Sequence, residues 1–245
     1  MLLALDTSAS AGAALLERDV VLAAAASPDR RRHAEVLQPL VEQVLASAGA
    51  GRADVTAVAV GVGPGPYTGL RVGMAAALVL GLALDVPVHG VCSLDAAALA
   101  AWSTAADGVR GRLGVATDAR RREVYWATYA TYESCRATSE DGAGPGAAGP
   151  RRVAGPDVGS ARDVAGEAPA WVGPGTGLYP ESLPAADVRA DLGVTAAWVG
   201  RVAAEALAGR GALRLVPVEP LYLRRPDAVA VADRTPPPLP ASVAP

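Results

Sequence analysis

Short apolar runs and longer periodic segments alternate along the first part of the chain. Residues 2–5 form an apolar run of strand length, and residues 13–26 contain two more around the charged residues 17–19, which predicts three strands with a hairpin turn. From 33 to 48 the apolar residues recur every three or four positions, so we expect an amphipathic helix that ends at Gly49. The same patterns then predict a strand over 55–62, a helix over 69–84, a strand over 86–91 and a helix over 93–105.

The second half of the chain repeats this pattern more faintly. It predicts a hairpin from residues 112–117 and 123–131, a short buried strand over 170–172 and an alanine-rich helix over 195–207. Two similar halves indicate a duplicated domain, and three strands before the first helix are typical of a ribonuclease H-like domain rather than of a Rossmann sheet. We interpret residues 139–159, which are rich in Gly, Ala and Pro, as a mobile surface loop or a degraded strand region.

Composition narrows the classes of protein. Apolar residues make up 51% and charged residues 19% of the 245 residues, and the formal net charge is −3. These values exclude a disordered chain and a basic nucleic-acid-binding module, so any contact with RNA must be local or supplied by a partner. The chain has no Lys, and all 22 positive charges are Arg. This excludes a P-loop lysine, a Schiff base and a Ser-Lys dyad.

The N-terminus, the apolar runs and the cysteines predict a soluble, cytoplasmic protein. Residues 1–6 have no basic leader, unlike a signal peptide. The longest apolar run, over 74–84, has eleven residues, whereas a membrane span needs about 20. Cys92 and Cys135 form no CxxC pair, and we expect two structural thiols in a reducing compartment.

Five glycines mark the junction between the strand predicted over 55–62 and the helix predicted over 69–84. Such a junction permits positive φ angles, Thr68 is placed to cap the helix, and the N–H groups of the helix N-terminus form an anion cradle. The candidate phosphate-binding residues here are Gly63, Gly65, Thr68, Gly69 and Arg71. The alternative is a tight turn that lets the helix pack closely on its strand.

An acid and two hydroxyls, Asp6, Thr7 and Ser8, follow the first apolar run. They could hold a metal ion and a phosphate, or they close a turn through side-chain hydrogen bonds. His33 begins the first predicted helix, but the residue four positions later on the same face is Leu37, which excludes a two-histidine metal site on this helix. With one other histidine and no GxSxG motif, a Ser-His-Asp triad has little support.

Two loops of the second half lie where a duplicated phosphate-clamping domain would place its own clamp. Residues 117–122 contain three consecutive arginines, which either contact phosphate through their side chains or form a solvated charged turn. The glycine-rich residues 173–177 form a second loop of this kind.

These motifs together resemble the TsaB family, the dimerisation subunits of the bacterial tRNA threonylcarbamoyladenosine machinery, also grouped with the M22 glycoprotease-like proteins. The segment 63–73, GPGPYTGLRVG, is similar to the family signature GPGSFTGLRIG, and residues 6–8 match the end of the family's first strand. Similar blocks follow in the same order at 93–96, 118–125 and 220–224. The resemblance covers about residues 1–226, but Arg122 stands where the family usually has glycine.

The resemblance implies an α/β protein with two ribonuclease H-like lobes of the actin-like ATPase (ASKHA) fold, the second reduced. The implied division is a first lobe over 1–105, a smaller second lobe over 106–226 and a disordered Pro-rich tail over 227–245, with the last helix (195–208) a candidate to pack across the lobes. It also implies a decayed nucleotide cleft with no catalytic residue and no metal site, in which Asp6, Thr7, Ser8 and the glycine-junction candidates are vestigial.

The resemblance further implies partners. Family members pair with themselves or with TsaD, their catalytic relative, through helices of the first lobe, and TsaE, an ATPase, joins the complex. We therefore expect a TsaD-like and a TsaE-like partner, a homodimer when the partner is absent, tRNA contact only through the complex, and no membrane. ATP or ADP and metal are expected on the partners or at their interface, and none on this chain alone.

The helix predicted over 69–84 is apolar on nearly every side, which is more than one sheet face covers. We therefore expect part of it, with part of the helix over 33–48, at a partner interface. The expected interface residues are His33, Leu37, Val41, Met74, Ala77, Leu78 and Gly81. The alternative is that these faces pack on their own sheet.

The sequence thus favours a non-catalytic scaffold subunit that supports a TsaD-like threonylcarbamoyltransferase acting on the adenosine next to the anticodon. The alternative is an active ATP-dependent kinase or ATPase of the same superfold, with Asp6 as metal ligand. A glycoprotease-like hydrolase has little support, since the sequence contains neither a histidine pair nor a nucleophile elbow.

Overall fold

Two mixed β-sheets form the framework of the chain. The computed structural model describes residues 1–27, 29, 32–104, 111–130, 149–186 and 193–224. The first sheet has the strand order β3-β2-β1-β4-β5, with β1 antiparallel to β2 and parallel to β4. Its strands are β1 (Leu2–Asp6), β2 (Gly12–Glu17), β3 (Val20–Ala26), β4 (Ala57–Gly61) and β5 (Val88–Val91). Each lies where the sequence pattern predicts a strand.

The second sheet repeats the arrangement of the first four strands. It has the order β8-β7-β6-β9, and β6 is antiparallel to β7 and parallel to β9. Its strands are β6 (Arg112–Asp118), β7 (Glu123–Ala130), β8 (Arg151–Ser160) and β9 (Trp171–Val172). The order matches β3-β2-β1-β4, which confirms two ribonuclease H-like halves of the actin-like ATPase fold.

Strand β8 decides between the two interpretations of residues 139–159, a mobile surface loop or a degraded strand region, in favour of strand for its described part. It pairs with β7 over almost its whole length, so residues 151–159 are strand; residues 139–148 lie outside the described residues. The sequence pattern left the choice open because Gly155 and Pro156 interrupt the strand where the pairing with β7 shifts register. Pro and Gly are tolerated in a strand at an edge or a bulge, where the ladder is already incomplete.

Six α-helices lie in the described residues. They are α1 (His33–Ser47), α2 (Tyr67–Leu84), α3 (Ser93–Thr104), α4 (Ala161–Val164), α5 (Pro174–Leu178) and α6 (Ala196–Leu207). α2 begins two residues earlier than predicted because Pro66, with φ −60°, already has the geometry that precedes a helix. α1 ends as predicted, with Gly49 at φ 64° directly beyond its last turn.

The helices cover both faces of the first sheet. Alternate residues of β1 point to opposite faces, so Leu3 and Leu5 pack with α1 and α2, whereas Leu2 and Ala4 pack with α3 and α6. The second of these cores also contains residues of β6 and β7, which places α3 and α6 between the sheets. The lobe boundary at 105/106 stays a prediction, and the predicted disordered tail lies outside the described residues.

Within the described ranges, α2 is the single helix long and apolar enough to cross a membrane, with a mean hydropathy of 1.6. Its residues Gly73, Met74, Ala77 and Gly81 are buried at the three- and four-residue spacing of one helix face. A helix with one face packed against its own sheet is typical of a globular domain. The cytoplasmic location stays a prediction.

Candidate functional site

Asp6 and Ser8 lie at the end of β1, and the protein itself occupies both carboxylate oxygens of Asp6. Ser8 donates to Asp6 Oδ1 from its backbone N (2.9 Å) and from Oγ (2.8 Å). Ser93 Oγ donates to Asp6 Oδ2 (3.1 Å) and accepts from Gly63 N (3.2 Å). Asp6, Ser8 and Ser93 are all buried. The arrangement is the hydrogen-bonded turn that the sequence offered as the alternative to a metal and phosphate site.

The environment of Asp6 disfavours a charged metal ligand. Desolvation raises the pKa of Asp6 from its ordinary value of 3.8 to about 6, although the hydrogen bonds from Ser8 and Ser93 oppose that rise. A metal ion or a phosphate at this point would have to displace hydrogen bonds that the fold already makes. The described residues contain no group of three or more His, Cys, Asp or Glu side chains that could hold a metal ion.

The glycine junction lets α2 press against the end of β1. Thr7 Oγ1 donates to Gly69 O (2.8 Å) and accepts from Gly73 N (3.1 Å). A Cβ added at Gly69 would come within 2.8 Å of Thr7 O, one at Gly65 within 2.8 Å of Ser8 O, and one at Gly73 would overlap the Thr7 side chain. The glycines at these positions therefore serve close packing, as the alternative interpretation of the junction has it.

An open cleft of about 410 Å³ lies above this packed layer. It brings predicted residues of the first half, namely Ser8, His33, Gly65, Thr68 and Gly69, together with residues 117–120 and Tyr125 of the second half. Asp6, Thr7, Gly63 and Arg71 are not among its lining residues. Thr68 does not cap α2 either: the N-cap is Pro66, and no side chain binds there.

Arg71 belongs instead to an aromatic cluster that the site prediction missed. Its guanidinium lies 4.1 Å from the centre of the Tyr67 ring, and its Nε donates to Tyr222 Oη (2.9 Å). The rings of Tyr67 and Tyr222 are stacked at 4.5 Å. Because the family resemblance includes both 63–73 and 220–224, that pairing of blocks was the signal that could have found the cluster.

The turn between β6 and β7 forms the opposite wall of the cleft. Arg120, Arg121 and Arg122 have φ angles of 64°, 54° and 64°, all in the left-handed region. Arg224 Nη1 donates to Ala119 O (3.0 Å), and its guanidinium also pairs with Glu123. Residues 222–224 thus connect α2, through Tyr222, with the second sheet, through Arg224.

A second buried carboxylate, Asp95 of α3, was not predicted as a functional residue. Tyr129 Oη donates to Asp95 Oδ1 (2.8 Å), and Arg152 Nη1 of β8 lies 3.3 Å from the same oxygen. Desolvation raises the pKa of Asp95 to about 6, while Arg152 and Tyr129 favour the charged form. Burial also raises the pKa of the neighbouring Cys92 thiol to about 12, which suits the structural thiol expected there; Cys135 lies outside the described residues.

Most of the residues predicted at a partner interface are buried in the structure, and one of them is exposed. His33, Leu37, Val41, Met74, Ala77 and Gly81 are buried, whereas Leu78 is 49% exposed. The structure therefore corrects this set: the faces of α1 and α2 that carry most of it pack on the first sheet. The exposed apolar side chains of α2 are Leu78, Val79 (64%) and Leu82 (85%). The sequence could not separate the two faces because the helix is apolar around most of its circumference.

A groove between α1 and α2 continues this exposed strip. It has a volume of about 340 Å³ and is lined mostly by apolar side chains, among them Ala34, Leu37, Val72, Ala75 and Leu80. Leu37 and Val41 line the bottom of this groove and are themselves buried. His33, also buried, borders the cleft, and desolvation lowers the pKa of its imidazole.

Comparison with known sequences supports the family resemblance. The model of the family described as "TsaD: tRNA N6-adenosine threonylcarbamoyltransferase" matches residues 23–170. An uncharacterized protein of Mycobacterium tuberculosis is 42% identical over 234 residues, which cover 94% of this chain and 94% of that protein. The tRNA threonylcarbamoyladenosine biosynthesis protein TsaB of Escherichia coli is 34% identical over 128 residues, which cover 52% of this chain and 54% of that protein.

Comparison with solved structures extends the similarity to almost the whole chain. YeaZ from Pseudomonas aeruginosa superposes with a TM-score of 0.70 at 29% identity, covering 91% of this chain and 99% of that one. A second P. aeruginosa structure, described as similar to peptidase YeaZ, gives a TM-score of 0.71 at 30% identity over the same shares. With the glycine signature at 63–73 and the two-sheet fold, these matches show that the chain belongs to the TsaB family.

Proposed function

We propose that this chain is a non-catalytic subunit of the complex that forms threonylcarbamoyladenosine in tRNA, and that it holds a TsaD-like transferase in its active form. Relatives that cover half of the chain are named for threonylcarbamoyladenosine biosynthesis, and the family model that matches residues 23–170 is that of the transferase. In this proposal the transfer chemistry and the metal belong to the TsaD-like partner, and ATP hydrolysis belongs to a TsaE-like partner.

The observation that carries the scaffold role is the exposed apolar strip of α2. Leu78 and Leu82 lie about one turn apart with Val79 between them, and in chain order the three are 49%, 64% and 85% exposed. The adjacent α2 residues Ala75, Ala76 and Leu80 line the α1–α2 groove. An apolar patch of this kind marks an interaction surface when it adjoins a groove. A partner helix laid along the strip would bury these side chains, and a second copy of the chain would cover the same strip when the partner is absent.

The lack of catalysis in this proposal follows from the end of β1. Both oxygens of Asp6 and the hydroxyl of Thr7 are engaged in internal hydrogen bonds, and α2 packs directly on Thr7. Binding a metal or activating a nucleophile at these groups would compete with hydrogen bonds that the fold already makes, and the loss of such bonds at buried groups costs free energy.

Reconstitution with the TsaD-like protein of the same organism tests the proposal. We expect the two chains to co-purify, and we expect threonylcarbamoyladenosine in tRNA only when this chain, the TsaD-like protein, the TsaE-like protein and ATP are all present. Modified nucleoside is measured by mass spectrometry of digested tRNA. Modification by this chain without the TsaD-like protein would refute the non-catalytic role.

A matched pair of variants tests the docking strip. Leu78→Asp places a carboxylate in the strip, and we expect it to abolish co-purification because a charge buried in an apolar interface has no partner. Leu207→Asp, at the end of α6, is the control because Leu207 is also 49% exposed but lies away from α2. Equal loss of association in both variants, or in neither, would contradict docking at this strip.

An active ATP-dependent kinase or ATPase remains the second candidate, because the cleft brings both halves of the chain together. It requires that the isolated chain bind Mg-ATP through Asp6. Isothermal titration calorimetry with Mg-ATP decides between the two: we expect no binding that depends on Asp6. Binding by the isolated chain that is lost in Asp6→Asn, which keeps hydrogen bonds to Ser8 and Ser93, but kept in the control Asp157→Asn on β8, would favour the kinase or ATPase.

A further inference from the structure

Three consecutive arginines occupy left-handed backbone positions in the β6–β7 turn. Arg120, Arg121 and Arg122 have φ between 54° and 64°, where a side chain with a Cβ is sterically disfavoured and glycine is not. The chain has 27 glycines, and eight of those in the described residues have positive φ. Glycine is therefore the usual solution in this protein, and arginine at three such positions in a row is a departure that calls for a role of the side chains.

Hydrogen bonds hold the turn in one conformation. Arg120 N donates to Asp118 Oδ1 (2.7 Å). Across the turn, Ala119 N donates to Glu123 O (3.1 Å) and Glu123 N donates to Arg120 O (3.0 Å). Arg224 binds Ala119 O from outside the turn and pairs with Glu123. The arginine side chains therefore project from a fixed base, which lowers the entropy lost when they bind a ligand.

The β6–β7 turn carries a local positive charge, although the net charge of the chain is negative. Arg120, Arg121 and Arg122 are exposed, and of the two adjacent carboxylates, Glu123 pairs with Arg224 and Asp118 with Arg120. The chain as a whole carries a net charge of −3. A polyanion that approaches this turn thus meets a local positive charge, although the net charge of the chain repels it.

We propose that the β6–β7 turn binds the phosphate backbone of the tRNA that the complex modifies. The proposal rests on the function proposed above, which supplies the tRNA. Guanidinium groups bind phosphate oxygens through paired N–H donors. Arg120 borders the cleft, but Arg121 and Arg122 are not among the residues that line it. Because one arginine lines the cleft and two do not, the cluster suits a polymer of phosphates better than one nucleotide inside the cleft.

Substitution by glycine removes the charges and keeps the turn. The variant carries Arg120→Gly, Arg121→Gly and Arg122→Gly, and glycine accepts the left-handed φ, so the hairpin is expected to fold. The matched control is Arg18→Gly, because Arg18 also has a positive φ of 57° and lies in the β2–β3 turn of the other sheet. A second variant with Lys at all three positions keeps the charges and tests whether phosphate attraction carries the binding.

Fluorescence anisotropy with labelled tRNA measures the effect, both for the complex with the TsaD-like partner and for this chain alone. We expect the glycine variant to bind about ten-fold more weakly, with a slope of log affinity against log salt that is shallower by about 2 to 3, since each lost phosphate contact removes about 0.7 to 0.9. Arg18→Gly is expected to match the unaltered chain, and the Lys variant to recover most of the affinity.

Unchanged affinity and salt slope in the glycine variant would overturn the proposal. So would weaker binding of pyrophosphate or ATP with unchanged binding of tRNA, because the turn would then serve a small phosphate ligand. Failure of the chain to associate with the TsaD-like protein would refute the proposed function, whereas the titration of the chain alone would still decide whether the turn binds RNA.

Discussion

Substitution of Asp6 by Asn tests whether the acid at the end of β1 is architectural. The carboxyl is buried, and its pKa is raised from 3.8 to about 6, so the folded protein holds a proton there more tightly than the unfolded chain does. This tighter proton binding stabilises the folded state. The stabilisation is fully present below pH 3.8 and is lost as the pH rises through about 6. At neutral pH the charged carboxylate therefore costs stability that a neutral amide does not.

The magnitude follows from the two pKa values. The difference between 3.8 and about 6, at about 1.4 kcal/mol per pKa unit, corresponds to about 3 kcal/mol. At about pH 8 the charged carboxylate lowers the free energy of unfolding by most of this amount, and at about pH 4.5 by about 1 kcal/mol. The Asn amide still accepts from Ser8 through Oδ1 and donates to Ser93 Oγ through Nδ2. We therefore expect the stability of Asp6→Asn relative to the unaltered chain to be about 2 kcal/mol more favourable at the higher pH.

Urea denaturation at the two pH values is the assay, with the midpoint compared at constant slope so that the difference reflects stability. Asp157→Asn on the exposed edge of β8 is the control, and we expect it to change stability by less than about 0.5 kcal/mol at both pH values. Asp6→Ala should destabilise at both, because the donors of Ser8 and Ser93 lose their acceptor. A stability difference between Asp6→Asn and the unaltered chain that does not vary with pH would refute the argument.

Three further substitutions test the packing. Gly73→Ala forces a Cβ onto Thr7 and should cost about 1–3 kcal/mol in urea denaturation. Met74→Asp, 5% exposed in the core of the first sheet, should abolish folding as measured by circular dichroism rather than only partner binding. Arg152→Ala leaves the buried Asp95 without its counter-charge, and we expect a loss of about 3–5 kcal/mol at alkaline pH that shrinks as the pH falls towards about 6, because Asp95 then takes up a proton.

The sequence predicted the elements whose periodicity is strong. The alternation and apolar runs of residues 2–26 predict β1, β2 and β3, and the spacing within 33–48 predicts α1 to within a residue of its observed end. It left β8 undecided between a loop and a degraded strand, because Gly155 and Pro156 break the pattern, and it missed the short α4 and α5, which contain too few residues for a period to show. Pattern analysis fails where a strand or helix is held by neighbours rather than by its own apolar face.

The site was predicted in its position but not in its chemistry. Residues 6–8 and 63–73 do come together, yet a sequence does not show whether a carboxylate and two hydroxyls bind a ligand or one another. The same limit applies to α2, where Met74 was expected at an interface and lies in the core. A signal was available: Gly69, Gly73, Ala77 and Gly81 recur every four residues, and this row of small residues is the side on which the helix presses closest to the sheet.

That row of small residues connects the architecture to the proposed function. Because Gly69 and Gly73 allow α2 to pack directly on Thr7 at the end of β1, the opposite side of the helix, with Leu78 and Leu82, is left facing outward. The glycine motif that in sequence suggests a phosphate cradle thus determines how closely α2 packs on β1 and which side of α2 faces outward. A change that lifts α2 from β1 should therefore weaken partner binding without touching the strip, so Gly73→Ala should reduce co-purification with a TsaD-like protein even in preparations that remain folded.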